Sequence, residues 1–487
     1  MPSSITKPGK ISLLILFILA IFLAYGCTDP YRHTIAKPYL ESPPPPETIF
    51  GEATLGENAS ATAIQNIQAP PLPSTGPLSL DDCLTLAQRV SPSLDSAQQG
   101  EYGAMWTQWQ ALTSYLPTGS VSYGINFHDS DPSLTQTMGR TQYTWQLGIS
   151  QPLFTGGATT ANYLLAQLGV NAAAIQTIQA REDLLLLVKQ AYFAILATEK
   201  ALAVAKTSVV NLSSHLGVAQ NFYEVGMVPQ NQVLQAEVEL AQAQLEESTQ
   251  QSNLQVNRAH LNILLRQNPS APISIQDNLR YYPFPLTLER CLELGLDNNP
   301  ELKLGRNQVE SGARSVDLAK ANLYPQLSLN YSQSSTGNTP RAHGGWSSDS
   351  SSWNIAALAS FNFWEWGRSK AGVEKSKVLL NQAIDNLTSL EDNTKLQITS
   401  NYQSLLSAGR NIDTSAKAVV SAAEDLRMVT ERYQQQVATN TEVLDAQTRY
   451  SQAQYQHFSA LYNYNLAWAA IERTLGQRVL PATQAYR

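Results

Sequence analysis

The chain is poor in the residues on which most catalysis depends. Its 487 residues include three cysteines and six histidines. The histidines, His33, His128, His215, His260, His343 and His457, fall at no metal-ligand spacing, and neither a phosphate-binding loop nor a nucleophile elbow is present. No enzyme, cofactor or metal site is therefore expected. Charged residues make up only 15%, and the net charge of −7 is spread along the chain without basic patches, which argues against a nucleic-acid partner. The apolar run Ile11 to Leu23, about 13 residues, is too short for a membrane-spanning helix. The 43% hydrophobic content nonetheless suits a large folded core.

That apolar run follows Lys7 and Lys10 and ends in "LAYGC", the layout of a signal peptide over residues 1–26. Ala24 and Gly26 before Cys27 resemble a bacterial lipobox, with Tyr25 where a small residue is usual, so Cys27 is the expected lipidation site. Acyl chains there would anchor the N-terminus to a bilayer, at roughly 0.8 kcal/mol per buried methylene. Thr28 rather than Asp follows Cys27, which favours the outer membrane. Residues 27–79 hold "SPPPPE" and "APPLPSTGP" and read as an extended arm of polyproline character. Cys83 and Cys291 are expected to be small buried helix residues rather than a disulfide, because they are equivalent positions of a repeat.

The repeat is found by register. "LDDCLTLA" at Leu80 aligns with "LERCLELG" at Leu288, an offset of 208 that also superposes Pro92 on Pro300, Pro117 on Pro325, Tyr123 on Tyr331 and Trp145 on Trp353. Further on the offset is 210, which brings Tyr223 onto Tyr433 and "VLQA" onto "VLDA". The first unit spans 80–287, the second 288–476, and a tail of 477–487 follows.

Within each unit the hydrophobic period changes twice. A helical stretch, about 80–116 and 288–324, ends at Pro117 and Pro325. Alternation of period two then predicts strands at about 118–129 and 141–154, and at about 326–335 and 352–364. Strands of this length, apolar on one face, fit the wall of a transmembrane β-barrel, although alternation alone fits a half-buried sheet equally well. Phe361, Phe363, Trp364 and Trp366 would suit an interfacial girdle. Four strands cannot close a barrel, and lipid does not tolerate an open sheet edge, so membrane insertion requires several chains to share one barrel. Proline-free helical patterns follow at about 157–222 and 230–266, and at about 369–435 and 441–475. Alanine stripes such as Ala191, Ala194, Ala201 and Ala205 allow close coiled-coil packing.

Where the second helical pair turns, "TNTEVLDAQ" sets Glu442 and Asp445 at a helix start that Thr439 or Thr441 can cap. The first copy, "QNQVLQAE", carries Gln232 and Gln235 instead. Together with "SPSL", "YLP" before a strand, "SQPLFTGG" at Ser150 and "YEVGMVPQNQVLQAE" at Tyr223, these motifs resemble the TolC family of outer membrane efflux proteins, especially its lipoprotein branch, over residues 80–475. The second unit departs from the pattern at "FNFWEWG" and at Gln436, where the turn usually has Gly.

The resemblance implies a mainly α fold with a small β part. Three chains would form one twelve-stranded barrel and a long coiled-coil helical tunnel extending into the periplasm. It implies an outer membrane channel for drugs or metal ions, supplied by an inner-membrane pump through a periplasmic adaptor. The alternatives are a duct for type I protein secretion or a structural envelope-spanning lipoprotein. Gly226, Val228, Pro229, Ala438 and Thr439 would form the adaptor-contact tips, and Tyr433, Glu442 and Asp445 the gate. An Arg and Asp that lock some members match Ala438 and Gln232, so that ion pair is missing here. Six gathered carboxylates would attract cations, since two charges about 6 Å apart repel by roughly 0.7 kcal/mol even in water.

Overall fold

The computed structural model describes residues 76–127, 141–342 and 351–479, all within one compact unit. Cys27, the expected signal peptide and most of the expected arm lie outside them. The described chain is mostly helical, with one four-stranded antiparallel sheet in the order β1-β2-β3-β4.

Each repeat begins with two short helices. The first pair is α1 (Leu80–Val90) and α2 (Pro92–Thr113); the second is α5 (Leu288–Asn298) and α6 (Pro300–Ala321). The continuous helical stretches expected from the sequence are thus broken, and the cause is local. Ser91 and Asn299 cap the second helix of each pair, and Pro92 and Pro300 occupy first-turn positions where a missing N–H costs nothing. The strands are β1 (Thr118–Phe127), β2 (Thr141–Phe154), β3 (Gln326–Gly337) and β4 (Ser351–Ser360). β2 pairs with β3 across the repeat boundary, with a register shift between Pro152 and Phe154. β4 ends at Ser360, short of the expected 364, because its partner β3 begins at Gln326, opposite Ser360.

Long helices complete each repeat: α3 (Ala158–Glu224) and α4 (Gln230–Leu264), then α7 (Arg368–Gln434) and α8 (Asn440–Leu475). α3 and α7 each have 67 residues, roughly 100 Å at 1.5 Å per residue. Such helices hold only by packing along their length. On the side of the short helices the neighbours run α2, α3, α6, α7; towards the far end they run α4, α3, α8, α7. The outer flanks of α2, α4 and α7 expose apolar side chains, among them Trp106, Leu245 and Leu396.

Two equivalent cores sit where short and long helices meet. One gathers Cys83, Leu84, Tyr192, Leu196, Leu261 and Leu265; the other Cys291, Ile398, Leu405, Ile471 and Leu475. Both cysteines are free and buried. The repeat extends to hydrogen bonds: the Tyr192 hydroxyl donates to the Leu78 carbonyl and Tyr402 to that of Leu286, each at 3.4 Å. Gly295 lets α5 pack closely on α7, since a Cβ there would stand 2.3 Å from Cδ1 of Ile398, whose side chain would have to shift. Between the cores, Lys189 of α3 forms a buried ion pair with Glu472 of α8, whose second oxygen accepts from the Val479 backbone at 2.8 Å. Arg473 bonds Asp183 at 2.5 Å and Glu301 at 3.1 Å, so α8 is clamped to α3 and α6.

Candidate functional site

The two long hairpins turn by the same device. After α3, the Met227 N–H donates to the Phe222 carbonyl at 2.8 Å and Gly226 to Tyr223 at 2.9 Å, with Gly226 left-handed at φ +75°. After α7, Val437 donates to Arg432 and Gln436 to Tyr433, both at 2.9 Å, with Gln436 at φ +64°. These are Schellman closures, which favour glycine at the left-handed position. Gln436 carries the steric cost of its Cβ, about 1 kcal/mol. Its side-chain amide reaches Sδ of Met227 at 2.7 Å, so one turn touches the other.

Thr439, not Thr441, is the cap of α8. Its hydroxyl accepts from the Glu442 N–H at 3.3 Å, while Glu442 Oε1 accepts from the Thr439 N–H at 3.1 Å and its hydroxyl at 2.9 Å. The backbone donor first, then the hydroxyl, hold the Glu442 carboxyl below the usual range. Its other oxygen stands 3.9 Å from Arg432, a distance at which an exposed pair contributes little. Asp445, one turn on, is exposed to solvent. The pair therefore shares a helix face, with Glu442 engaged in capping and Asp445 open.

Tyr433 is placed differently from the expectation of a constriction lining. It is 3% exposed, with its ring centroid 5.0 Å from that of His215 and 5.7 Å from that of Phe222, over Val429, Val443 and Ala446. Its burial follows from the helical period, which sets Val429 and Tyr433 four residues apart on the face of α7 that meets α8. Burial raises its pKa, and its hydroxyl finds no hydrogen-bond partner among the described residues. Of the expected tip residues, Gly226, Pro229 and Thr439 are exposed, whereas Val228 and Ala438 are half-buried. Val225, Met227 and Val437, which the sequence reading passed over, expose apolar side chains beside them.

Below the turns lies a polar seam that spacing alone could not reveal. His215 Nε2 meets Asn440 Oδ1 at 2.7 Å, and Asn440 Nδ2 donates to Gln235 Oε1 at 3.2 Å and to the Gln232 carbonyl at 3.3 Å. Asn440 thereby ties α8 to α3 and α4. Asn211 donates to Gln447 Oε1 at 3.2 Å, and Gln447 donates to Ser208 at 3.4 Å. Burial lowers the His215 pKa, an effect partly offset by the bond to Asn440. No group of three or more potential metal ligands occurs among the described residues.

Among the described residues each repeat thus supplies two strands and a pair of long helices that turn at an exposed tip. The chain matches the family described as "Outer membrane efflux protein" over residues 85–265 and 292–477, one match per repeat. It belongs to that family, and is an outer membrane efflux channel and not an enzyme. Solved structures share the fold. VceC from Vibrio cholerae is 19% identical, with a TM-score of 0.71 over 82% of this chain and 96% of its own. CmeC from Campylobacter jejuni is 17% identical, at 0.71 over 84% and 88%. MtrE from Neisseria gonorrhoeae, solved in an open state, is 18% identical, at 0.68 over 83% and 90%. No curated protein sequence matches the chain.

Proposed function

We propose that three copies of the chain close one twelve-stranded barrel in the outer membrane above one helical tunnel. The assembly conducts small molecules, drugs or metal ions, delivered by an inner-membrane pump through a periplasmic adaptor. The observation that carries this is the sheet. Its two edge strands, β1 and β4, have no outer partner among the described residues, yet expose Val121, Tyr123, Ile125 and Phe127 and Trp353, Ile355 and Leu358. No helix among the described residues is long and apolar enough to cross a membrane. Strands of 10 to 14 residues have the right length, but only if both edges are paired by further copies. Acyl groups on Cys27 anchor each copy, and Phe361, Phe363, Trp364 and Trp366, all exposed after β4, sit at the lipid interface.

At the far end Gly226, Val228, Pro229, Ala438 and Thr439 receive the adaptor, joined by exposed Val225, Met227 and Val437. Glu442 and Asp445 of each copy form a cation-attracting constriction, and Tyr433 supports it from inside the chain. The test is conductance of the purified protein in planar bilayers with and without divalent cations. The reading expects cation-selective channels that divalents block. Glu442→Gln with Asp445→Asn, which leaves the cap intact, should abolish the block. Silence under every condition would overturn the duct, and unchanged block would overturn the gate.

A further inference from the structure

The second repeat departs from the first where β4 leads into α7. At the offset of 210, "TGGATTANYLLAQ" from Thr155 is matched by "EWGRSKAGVEKSK" from Glu365. Gly156 adopts φ +64° and leaves no room for a side chain, since a Cβ would stand 2.4 Å from the Ala321 carbonyl oxygen. Its counterpart Trp366 holds the same left-handed backbone at φ +53°, a conformation that disfavours any residue with a Cβ and a bulky one most. Burial does not offset the strain. Trp366 is 89% exposed, and among the described residues its ring contact is with Trp364, itself 67% exposed, at a centroid distance of 5.4 Å. A strained and exposed indole contributes little to the copy that carries it, so what it meets lies outside the chain.

The charges change at the same place. From 158 to 180, α3 has no charged residue, whereas the matched start of α7 carries Arg368, Lys370, Glu374, Lys375 and Lys377. Arg368 bonds Glu365 at 2.5 Å, and Lys377 bonds Glu374 at 2.8 Å. Lys370 has neither an ion pair nor a hydrogen bond among the described residues and feels Glu374, one turn on, only through its field. Cations therefore outnumber carboxylates at this turn. Lys370 and Lys377, seven residues apart, share one face of α7, and Trp366 precedes Lys370 by one turn.

We infer that this strand-to-helix turn is a docking surface for anionic phospholipid of the periplasmic leaflet, with the Trp364 and Trp366 rings among the headgroups and the Lys370 and Lys377 ammonium groups on the phosphates. The surface continues the exposed apolar face of β4, which carries Trp353 and Ile355. Indoles settle at the level of the headgroups, a layer about 5–8 Å deep. Lys370, in the first turn of α7, falls within that layer, and the long stem of Lys377 reaches back to it from two turns further on. The inference rests on the barrel proposed above and names the lipid class it meets at one edge.

The test uses the full chain in a neutral detergent, incubated with equal amounts of phosphatidylglycerol and phosphatidylcholine, with the lipid retained through gel filtration then quantified. The parent should retain the anionic lipid about five-fold over the neutral one, the preference of roughly one ammonium group at a negative surface. Lys370→Gln with Lys377→Gln should abolish most of that preference. Trp366→Gly should instead lower retention of both lipids together and keep the preference. Lys395→Gln, roughly 38 Å further along α7 in an exposed pair with Asp392, is the control and should change neither. No preference in the parent, or one that survives the double lysine variant, would overturn the inference. Trp366→Gly that splits a trimer, seen in the detergent-corrected mass, would assign the turn to a neighbouring copy and overturn it as well. Conductance is recorded from the same samples. Open channels without a lipid preference would leave the barrel standing, and silence would overturn the barrel and this inference with it.

Discussion

Replacing Lys189 by Met tests whether the clamp between α3 and α8 is a paired charge or merely packing. Lys189 and Glu472 have side chains 11% and 8% exposed, so removing the ammonium strands a carboxylate with only the Val479 N–H for support. Breaking one side of such a pair costs about 3–5 kcal/mol, because the remaining charge stays desolvated. Replacing both members by apolar residues of similar volume is often close to neutral. Lys189→Met should therefore lower the urea midpoint of helix loss, followed by circular dichroism, by the equivalent of about 3 kcal/mol or more. Lys189→Met with Glu472→Met should recover most of that. The control is Lys200→Met, whose partner Asp277 is exposed, and which should cost under about 1 kcal/mol. A single variant as stable as the parent, or a double variant no better than the single, would refute the reasoning.

Other outcomes follow from the tips. Because burial depresses the His215 pKa, the unfolded chain binds more protons below about pH 6.5, and stability falls as pH drops through that value. Urea midpoints at pH 7.5 and 5.5 should differ, and His215→Gln should shrink the difference. Gln436→Gly should stabilise the second turn by about 1 kcal/mol and slow amide exchange there, while Gly226→Gln should cost the first turn as much; the opposite signs would refute the strain. Tyr433→Phe removes a buried hydroxyl without a partner among the described residues and should change stability by less than about 1 kcal/mol in thermal unfolding. A loss above about 2 kcal/mol would show that the hydroxyl is bonded in solution.

The duplication, the strand pairs and the long helices were legible because each writes a period into the sequence. Val121, Tyr123, Ile125 and Phe127 alternate over the length of β1, and no proline interrupts α3 or α7. The breaks at Pro92 and Pro300 leave no gap in the helical period, because after the caps Ser91 and Asn299 proline takes the first turn of a new helix and the pattern resumes at once. The overrun of β4 has another cause. Apolar alternation continues to Phe363, but strand pairing depends on where β3 begins, which the sequence of β4 does not contain. The seam was hidden for a similar reason. His215 and Asn440 are distant in sequence, and each looks like an ordinary polar residue on a helix surface. Only burial in the fold shows that Asn440 and Gln447 on α8 are covered, whereas Gln230 and Glu237, their counterparts on α4, are exposed.

The equal length of α3 and α7 carries a consequence for insertions and deletions. One residue added to either helix would advance its turn by 1.5 Å and swing it by about 100° around the axis. The Gln436–Met227 contact would be lost and the seam stripe would rotate off its partner. A single-codon insertion in the middle of either helix should therefore be tolerated far less well than a substitution at the same place. Seven residues, about two full turns, would bring the faces back near register. They would have to be added to α3, α4, α7 and α8 alike, so the length of the paired helices can change only in steps taken by all four at once.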